Sequence, residues 1–160
     1  MEQEEHTRIV DLVTAADIAL VTTIGADGQL HSRPLAVLQD DFSDRVWFIV
    51  ERTTEKAAEI AAHPRVNVSF ASGSGYLSLA GTARILSDDA LIDQLWNPAL
   101  EAWFEGGRDN PDLAVLEVTG DTAEYWAKTE SGVFSLMKAV KALVTGEQPD
   151  IGENRTVDFP

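Results

Sequence analysis

Two of the few cations in this chain stand out, because one precedes a proline within a predicted strand and the other lies at a predicted helix start. Arg33 lies inside a predicted strand and is followed at once by Pro34, which cannot donate to a neighbouring strand. The position is therefore predicted at a sheet edge, at a bulge, or where something other than a strand pairs. Lys56 falls in the first turn of a predicted helix, where the helix dipole disfavours positive charge. Because helix N-termini bind anions, the pair predicts a phosphate site.

Two hydroxyl side chains could complete such a site. Thr53 and Thr54 directly precede the helix that carries Lys56, and either can be its N-cap. Their hydroxyls and the backbone N–H groups of the first turn would add neutral donors to the two cations. The alternative is a surface arginine and a solvated helix lysine with no common ligand. The helix dipole adds weight to the phosphate interpretation, and both interpretations stay open.

The remaining reactive side chains show no catalytic or metal-binding pattern. His6, His31 and His63 lack metal-ligand spacing, and the chain has no cysteine, so we expect no metal site. His31 precedes Arg33 by two residues on the same strand face and could approach the phosphate, although we expect a structural role. There is no Gly-x-Ser-x-Gly elbow of a serine hydrolase. The tryptophans are expected to pack in the core, with a planar cofactor as the alternative for one or two.

The charge of the chain argues against two classes of partner. Its 160 residues carry 12 lysines and arginines against 27 acidic residues, which gives a formal net charge of −15. Such a surface repels nucleic acids and anionic membranes, so we expect neither as a partner. No apolar run approaches the roughly 20 residues of a membrane span, and the acidic N-terminus is unlike a signal peptide. We therefore expect a cytoplasmic protein.

Hydrophobic periodicity and turn signals predict a mainly β, α+β fold. Helices are predicted over 4–16, 55–62, 87–96, with Ser87 as its cap, and 131–145. The predicted strands, mostly antiparallel because their connections are short, are 18–24, 29–38, 46–50, 66–70, 76–86, 113–119 and 122–128. This pattern suggests a closed or nearly closed β-barrel.

Three turns and a tail complete the predicted organisation. Asp27-Gly28 is a strong hairpin signal, and Gly81 predicts a bulge or bend within a long strand. A last hairpin is predicted across Gly120-Asp121. We expect one domain over residues 1–145 and a polar tail over 146–160, either mobile or laid across another surface.

Short motifs also occur in a characteristic order from about residue 5 to about residue 130. They include Ser32-Arg33-Pro34, Thr54-Glu55-Lys56, His63-Pro64-Arg65-Val66, Leu95-Trp96-Asn97-Pro98 and Glu124-Tyr125-Trp126. Each motif is weak alone, but the ordered set resembles the FMN-binding split-barrel family related to pyridoxamine 5′-phosphate oxidase. The resemblance is greatest to its bacterial general stress protein branch, and it implies a split barrel of about six to seven antiparallel strands.

The resemblance also implies a cofactor and an assembly. In the family, residues along the ribityl phosphate chain of FMN match Arg33, Pro34 and Leu35, and residues that contact the flavin match Phe48 and Ile49. A lysine and a hydroxyl that hold the phosphate match Lys56 and Thr54, near Thr53. The family is typically a homodimer with FMN at the subunit interface. The tryptophan that matches Trp126 would then reach the flavin from the other subunit.

Two departures from the family pattern bear on activity. Glu55 precedes Lys56 where the oxidases often carry arginine, so one phosphate ligand is missing. The oxidase substrate motif Arg-Leu-His-Asp-Arg is absent after Trp126, so we expect no oxidation of pyridoxamine phosphate. The expectation is a flavin-dependent oxidoreductase of unknown substrate with no identified catalytic residue. The alternatives are a non-catalytic flavin-storing or redox-sensing module, or a deazaflavin or haem binder on the same fold.

Overall fold

The computed structural model describes residues 3–127 and 153–159, which form an α+β fold of helices and antiparallel strands. In chain order the elements are α1 (Gln3–Thr14), β1 (Ile18–Ile24), β2 (Leu30–Ala36), β3 (Arg45–Glu51), α2 (Glu55–Ala62), β4 (Arg65–Ser72), β5 (Gly75–Leu86), α3 (Asp89–Leu95), β6 (Leu113–Ala127) and β7 (Glu153–Asp158). Two 3₁₀ turns, Pro98–Ala102 and Gly107–Asp109, lie between α3 and β6.

The described strands form one antiparallel sheet that curls into a split barrel. Their order is β2-β1-β4-β5-β6-β3, and β7 pairs with β6 off this path. The terminal strands β2 and β3 approach each other without pairing, which leaves the barrel open along one seam. Gln39 spans the seam region: its Nε2 donates to the Arg45 carbonyl at 3.0 Å and its Oε1 accepts from Trp47 N at 3.0 Å. Because β2 is a terminal strand of the sheet, Pro34 lies in an edge strand, which is one of the predicted alternatives.

Alternation along the strands separates a barrel interior from a second cluster outside it. On β3, Val46, Phe48 and Val50 are buried in the interior, and α1 adds Ile9 and Val13 to the same core. Each such side chain contributes about 2 kcal/mol by leaving water. On the opposite face of β3 and β6, a smaller cluster is covered by α3 and the first 3₁₀ turn; it comprises Ile49, Ile92, Leu95, Leu100, Leu113 and Val115. None of the described helices is long and apolar enough to cross a membrane.

Several predicted boundaries differ from the structure. The hairpin predicted at Gly120 is wrong: β6 runs unbroken through it, because β5 pairs with β6 on both sides of this glycine. Asp88 caps α3 instead of Ser87, accepting from Leu91 N at 3.0 Å. The predicted helix 131–145 lies outside the described residues. The segment 146–160, set apart as a tail, contains β7, which pairs with β6.

Gly81 stands at a close approach of two strands. The register between β5 and β6 shifts between Ala80 and Gly81, so the predicted irregularity there is confirmed. A Cβ at Gly81 would lie 2.2 Å from the carbonyl oxygen of Thr119, which is backbone and cannot turn aside. The β5–β6 pair can approach this closely only because residue 81 has no side chain.

We therefore expect Gly81→Ala to lower the free energy of unfolding by about 2 to 3 kcal/mol, because β5 and β6 must separate to admit the methyl group. Urea unfolding measures this loss. Gly73→Ala is the matched control, since a Cβ at Gly73 would meet nothing within 4 Å. Equal unfolding midpoints for the two variants would contradict the predicted clash.

Candidate functional site

The side chain of Arg33 points from β2 towards α2. Successive residues of a strand face opposite sides, so His31, Arg33 and Leu35 share one face of β2, whereas Ser32 and Pro34 share the other. The Arg33 side chain is 28% exposed. It lies at the barrel edge, where part of the guanidinium remains open to solvent.

Arg33 is held there by a carboxylate that sequence analysis missed. Arg33 Nη1 donates to Glu59 Oε2 at 2.9 Å, and Nη2 donates to Glu59 Oε1 at 3.3 Å. Thr23 Oγ1 donates to Glu59 Oε2 at 2.5 Å and accepts from Arg33 Nη1 at 3.0 Å. His31 Nδ1 lies 2.8 Å from Glu59 Oε1. We call these four residues the Glu59 cluster.

The Glu59 carboxyl is buried and ionised. Its side chain is only 5% exposed. The hydrogen bonds from Arg33 and Thr23, together with that from His31, outweigh the cost of burial and lower the pKa of Glu59 to about 2. An ionised carboxylate only accepts hydrogen bonds, so His31 must carry a proton on Nδ1.

Lys56 is the second cation of the predicted site, and it is buried. Only 8% of Lys56 is exposed, and within residues 3–127 and 153–159 no carboxylate forms an ion pair with it. Desolvation is the main cause that lowers the pKa of Lys56, the positive charge of Arg33 adds to it, and Glu51 opposes it. A desolvated ammonium near a guanidinium is unfavourable by itself, and a bound anion would relieve it.

The two predicted hydroxyls do not turn towards these cations. Thr54 stands at the N-cap of α2, but its Oγ1 donates to the Glu51 carbonyl at 2.9 Å, and its side chain makes no cap hydrogen bond. Thr53 Oγ1 donates to Asp112 Oδ2. Both threonines line an open groove of about 570 Å³ between α2 and β5, whose lining residues include neither cation.

The predicted flavin contacts are separated within one chain. The Phe48 side chain is fully buried in the barrel, so a ligand could reach this residue only through its backbone. Ile49 is buried in the outer cluster. Trp126 lies beside Tyr76 on the far part of β6, ten residues from Leu116, the pairing partner of Phe48. Ten strand residues span about 33 Å, so one chain does not bring Trp126 and Phe48 to the same flavin.

Comparison with known proteins agrees with this architecture. Residues 4–150 match the family described as pyridoxamine 5′-phosphate oxidase like. The chain belongs to this family. General stress protein 26 of Bacillus subtilis is 28% identical over 122 residues, covering 73% of this chain and 84% of that protein.

Solved structures of relatives share the split-barrel fold. A structure from Jannaschia assigned to general stress protein 26 has a TM-score of 0.77 and 27% identity, covering 99% of this chain and 100% of that one. The general stress FMN/FAD binding protein of Xanthomonas citri has a TM-score of 0.69 and 28% identity, covering 81% of this chain and 93% of that one. The predicted family and fold class are thus confirmed.

Glu59 could have been noticed in the sequence. It follows Lys56 by three residues and precedes Ile60, and these three residues share the buried face of α2. A carboxylate on the apolar side of a short helix needs a partner when buried. The sequence contained this signal, but it did not show which cation would meet the carboxylate.

Proposed function

We propose that this member of the pyridoxamine 5′-phosphate oxidase-like family binds FMN and acts as a flavin-dependent oxidoreductase of unknown substrate. The observation that carries the proposal is Lys56, a buried cation beside Arg33 with no counter-ion among the described residues. When bound, the flavin supplies the redox chemistry. The protein would bind the phosphate through these two cations.

The residues present fit a phosphate dianion. Lys56 and the open edge of Arg33 would donate charge-assisted hydrogen bonds, worth about 1.5 to 3 kcal/mol each. Glu55 partly opposes the phosphate, since its Oε2 lies 3.7 Å from Arg33 Nη2. Its side chain is 79% exposed, so it can turn into solvent at small cost. Glu55 in place of arginine therefore lowers the expected affinity for phosphate but does not block the site.

A second copy of the chain is the proposed partner, and an uncharged sheet face supports it. Charged residues make up 24% of the chain. On β2, β1, β4 and β5, however, the three rows of outward positions that pass through Ile18, Leu20 and Thr22 carry no charged residue. These positions, defined by the strand register, are Ser32, Pro34, Ala36, Ile18, Leu20, Thr22, Asn67, Ser69, Ala71, Tyr76, Ser78 and Ala80. We call them the uncharged face. Two copies of charge −15 can meet here without bringing like charges into contact.

The composition of the uncharged face also suits an interface. Ile18, Leu20 and Tyr76 are each 45–49% exposed, so apolar area remains to be covered. Trp126 pairs with Tyr76 at the border of the face. A partner seated here could carry its own Trp126 towards the flavin site of the first chain. This arrangement would join the site residues that one chain keeps apart.

Leu20→Glu should convert the dimer to monomers, because it places two carboxylates in an apolar contact between acidic subunits. A buried unpaired charge costs several kcal/mol, enough to shift the dissociation constant by two or more orders of magnitude. Sedimentation velocity measures the mass in solution. Thr7→Glu adds the same charge to an exposed position on α1 and should leave the mass unchanged. A Leu20→Glu protein that stays dimeric would place the interface elsewhere.

The absorption spectrum of the purified protein tests cofactor binding. We expect flavin bands near those of free FMN, and heat should release a species with the mass of FMN. A colourless protein that also fails to bind added FMN would overturn the proposal. A released deazaflavin or haem would keep the fold and change the ligand.

A second candidate is a flavin-binding module without turnover, for storage or redox sensing. The missing oxidase substrate motif after Trp126 favours it. Rapid mixing of the loaded protein with NADH or NADPH separates the two functions. Fast bleaching of the flavin supports an oxidoreductase, and its absence with every donor supports a binding module.

A further inference from the structure

We infer that Glu59 is the positioning residue of the cofactor phosphate site: its carboxylate fixes the Arg33 guanidinium so that its remaining N–H groups are presented to the phosphate. This inference rests on the proposed FMN function and assigns a role to a residue outside the predicted ligands. Glu59 does not contact the phosphate itself and acts through Arg33.

The hydrogen bonds of Arg33 leave a defined set of donors. A guanidinium has five N–H groups in a rigid plane. Both Nη1 hydrogens are used, one by Thr23 Oγ1 and one by Glu59 Oε2, and one Nη2 hydrogen goes to Glu59 Oε1. Among the described residues no hydrogen bond uses the Nε hydrogen or the second Nη2 hydrogen, and the exposed Glu55 Oε2 lies 3.7 Å from Nη2. These two hydrogens lie on the edge of the guanidinium away from Glu59, which matches the two-point recognition of a phosphate by arginine.

The Glu59 carboxylate is itself fixed from two further sides. Thr23 on β1 donates to Oε2, and His31 on β2 approaches Oε1 at 2.8 Å. With the two contacts to Arg33, about all four acceptor sites of the carboxylate are filled. The carboxylate therefore cannot rotate without breaking several hydrogen bonds. Because the Arg33 guanidinium is hydrogen-bonded to this fixed carboxylate, its side chain loses less conformational entropy when a ligand binds.

Charge adds a second reason for Glu59 to matter. Arg33 lies close enough to Lys56 to lower its pKa, so the two cations repel each other. Glu59 pairs with Arg33 and keeps it beside Lys56 despite this repulsion. Without the carboxylate, Arg33 is free to swing into solvent and away from Lys56. The phosphate would then meet one positioned cation instead of two.

FMN and riboflavin together test this inference, because they share the ring and ribityl chain and differ in the phosphate. For Glu59→Gln we expect the FMN dissociation constant to rise at least tenfold and the riboflavin dissociation constant to change less than twofold. Flavin fluorescence quenching measures both. Arg33→Met combined with Glu59→Gln should bind FMN no more weakly than Arg33→Met alone, because Glu59 acts through Arg33.

Glu117→Gln is the matched control. Glu117 is also a buried carboxylate, and it accepts from Arg84 Nε at 2.7 Å and from Trp47 Nε1 at 3.0 Å. Any effect of this variant should fall equally on FMN and riboflavin. If Glu59→Gln weakens both ligands equally, or neither, Glu59 is a purely structural residue and the inference is wrong. If the unmodified protein binds neither flavin, the proposed function fails first and the inference falls with it.

Discussion

Lys56→Met should weaken FMN binding by about one to two orders of magnitude and also stabilise the FMN-free protein. The loss of affinity follows because a charge-assisted hydrogen bond to phosphate is worth about 1.5 to 3 kcal/mol, and each 1.4 kcal/mol is tenfold in affinity. The gain in stability, about 1 kcal/mol, follows because the folded chain no longer desolvates an ammonium that has no counter-ion among the described residues. Methionine has a similar length and fills the same space.

The opposite signs make this experiment decisive. Fluorescence titration gives the FMN affinity, and urea unfolding without FMN gives the stability. Arg65→Met is the control: it removes a cation whose side chain is 70% exposed and paired with Asp121 at 3.5 Å, and both quantities should hardly change. A Lys56→Met protein that binds FMN as tightly as the parent would remove Lys56 from the phosphate site.

Arg33→Met should destabilise the protein strongly at neutral pH and much less in acid. At pH 7 we expect a loss of about 3 kcal/mol, because the variant leaves the Glu59 carboxylate buried without its cation. The pKa of Glu59 is about 2 in the folded protein and ordinarily 4.5, so its ionisation stabilises the fold fully above pH 4.5. That contribution is lost as pH falls from 4.5 through 2, and at pH 3 about 1 kcal/mol remains.

Urea unfolding of both proteins at several pH values between 7 and 3 measures this difference. Arg84→Met is the comparison variant, because it removes one arginine from Glu117 but leaves the hydrogen bond from Trp47 and the ion pair with Arg45. Its effect should be smaller at pH 7. A loss for Arg33→Met that stays constant from pH 7 to pH 3 would show that the titration of Glu59 does not contribute.

The parts of the fold that sequence analysis predicted well depend on signals within a few residues. Helix α2 begins after Thr54 and ends before His63-Pro64, as predicted, because a following proline acts locally. The turn at Asp27-Gly28 also forms, with Gly28 at φ +79°. Gly120 misled the prediction for the same reason: a glycine and an aspartate form a turn only if no neighbouring strand extends past them.

For the candidate site, too, local sequence signals predicted some residues, whereas other contacts became visible only in the folded structure. Residue types and spacing alone pointed to Arg33 and Lys56, since a proline beside one and a helix start beside the other are local facts. Only the tertiary structure showed that Glu59, 26 residues along the chain from Arg33, forms hydrogen bonds with it. The structure also showed that the Thr53 and Thr54 hydroxyls donate to other groups. Burial changes the partners and pKa values of charged groups, and burial depends on how distant strands and helices pack. The sequence by itself predicted which cations could hold a phosphate, and the packing of α2 against β1 and β2 decided which carboxylate pairs with Arg33.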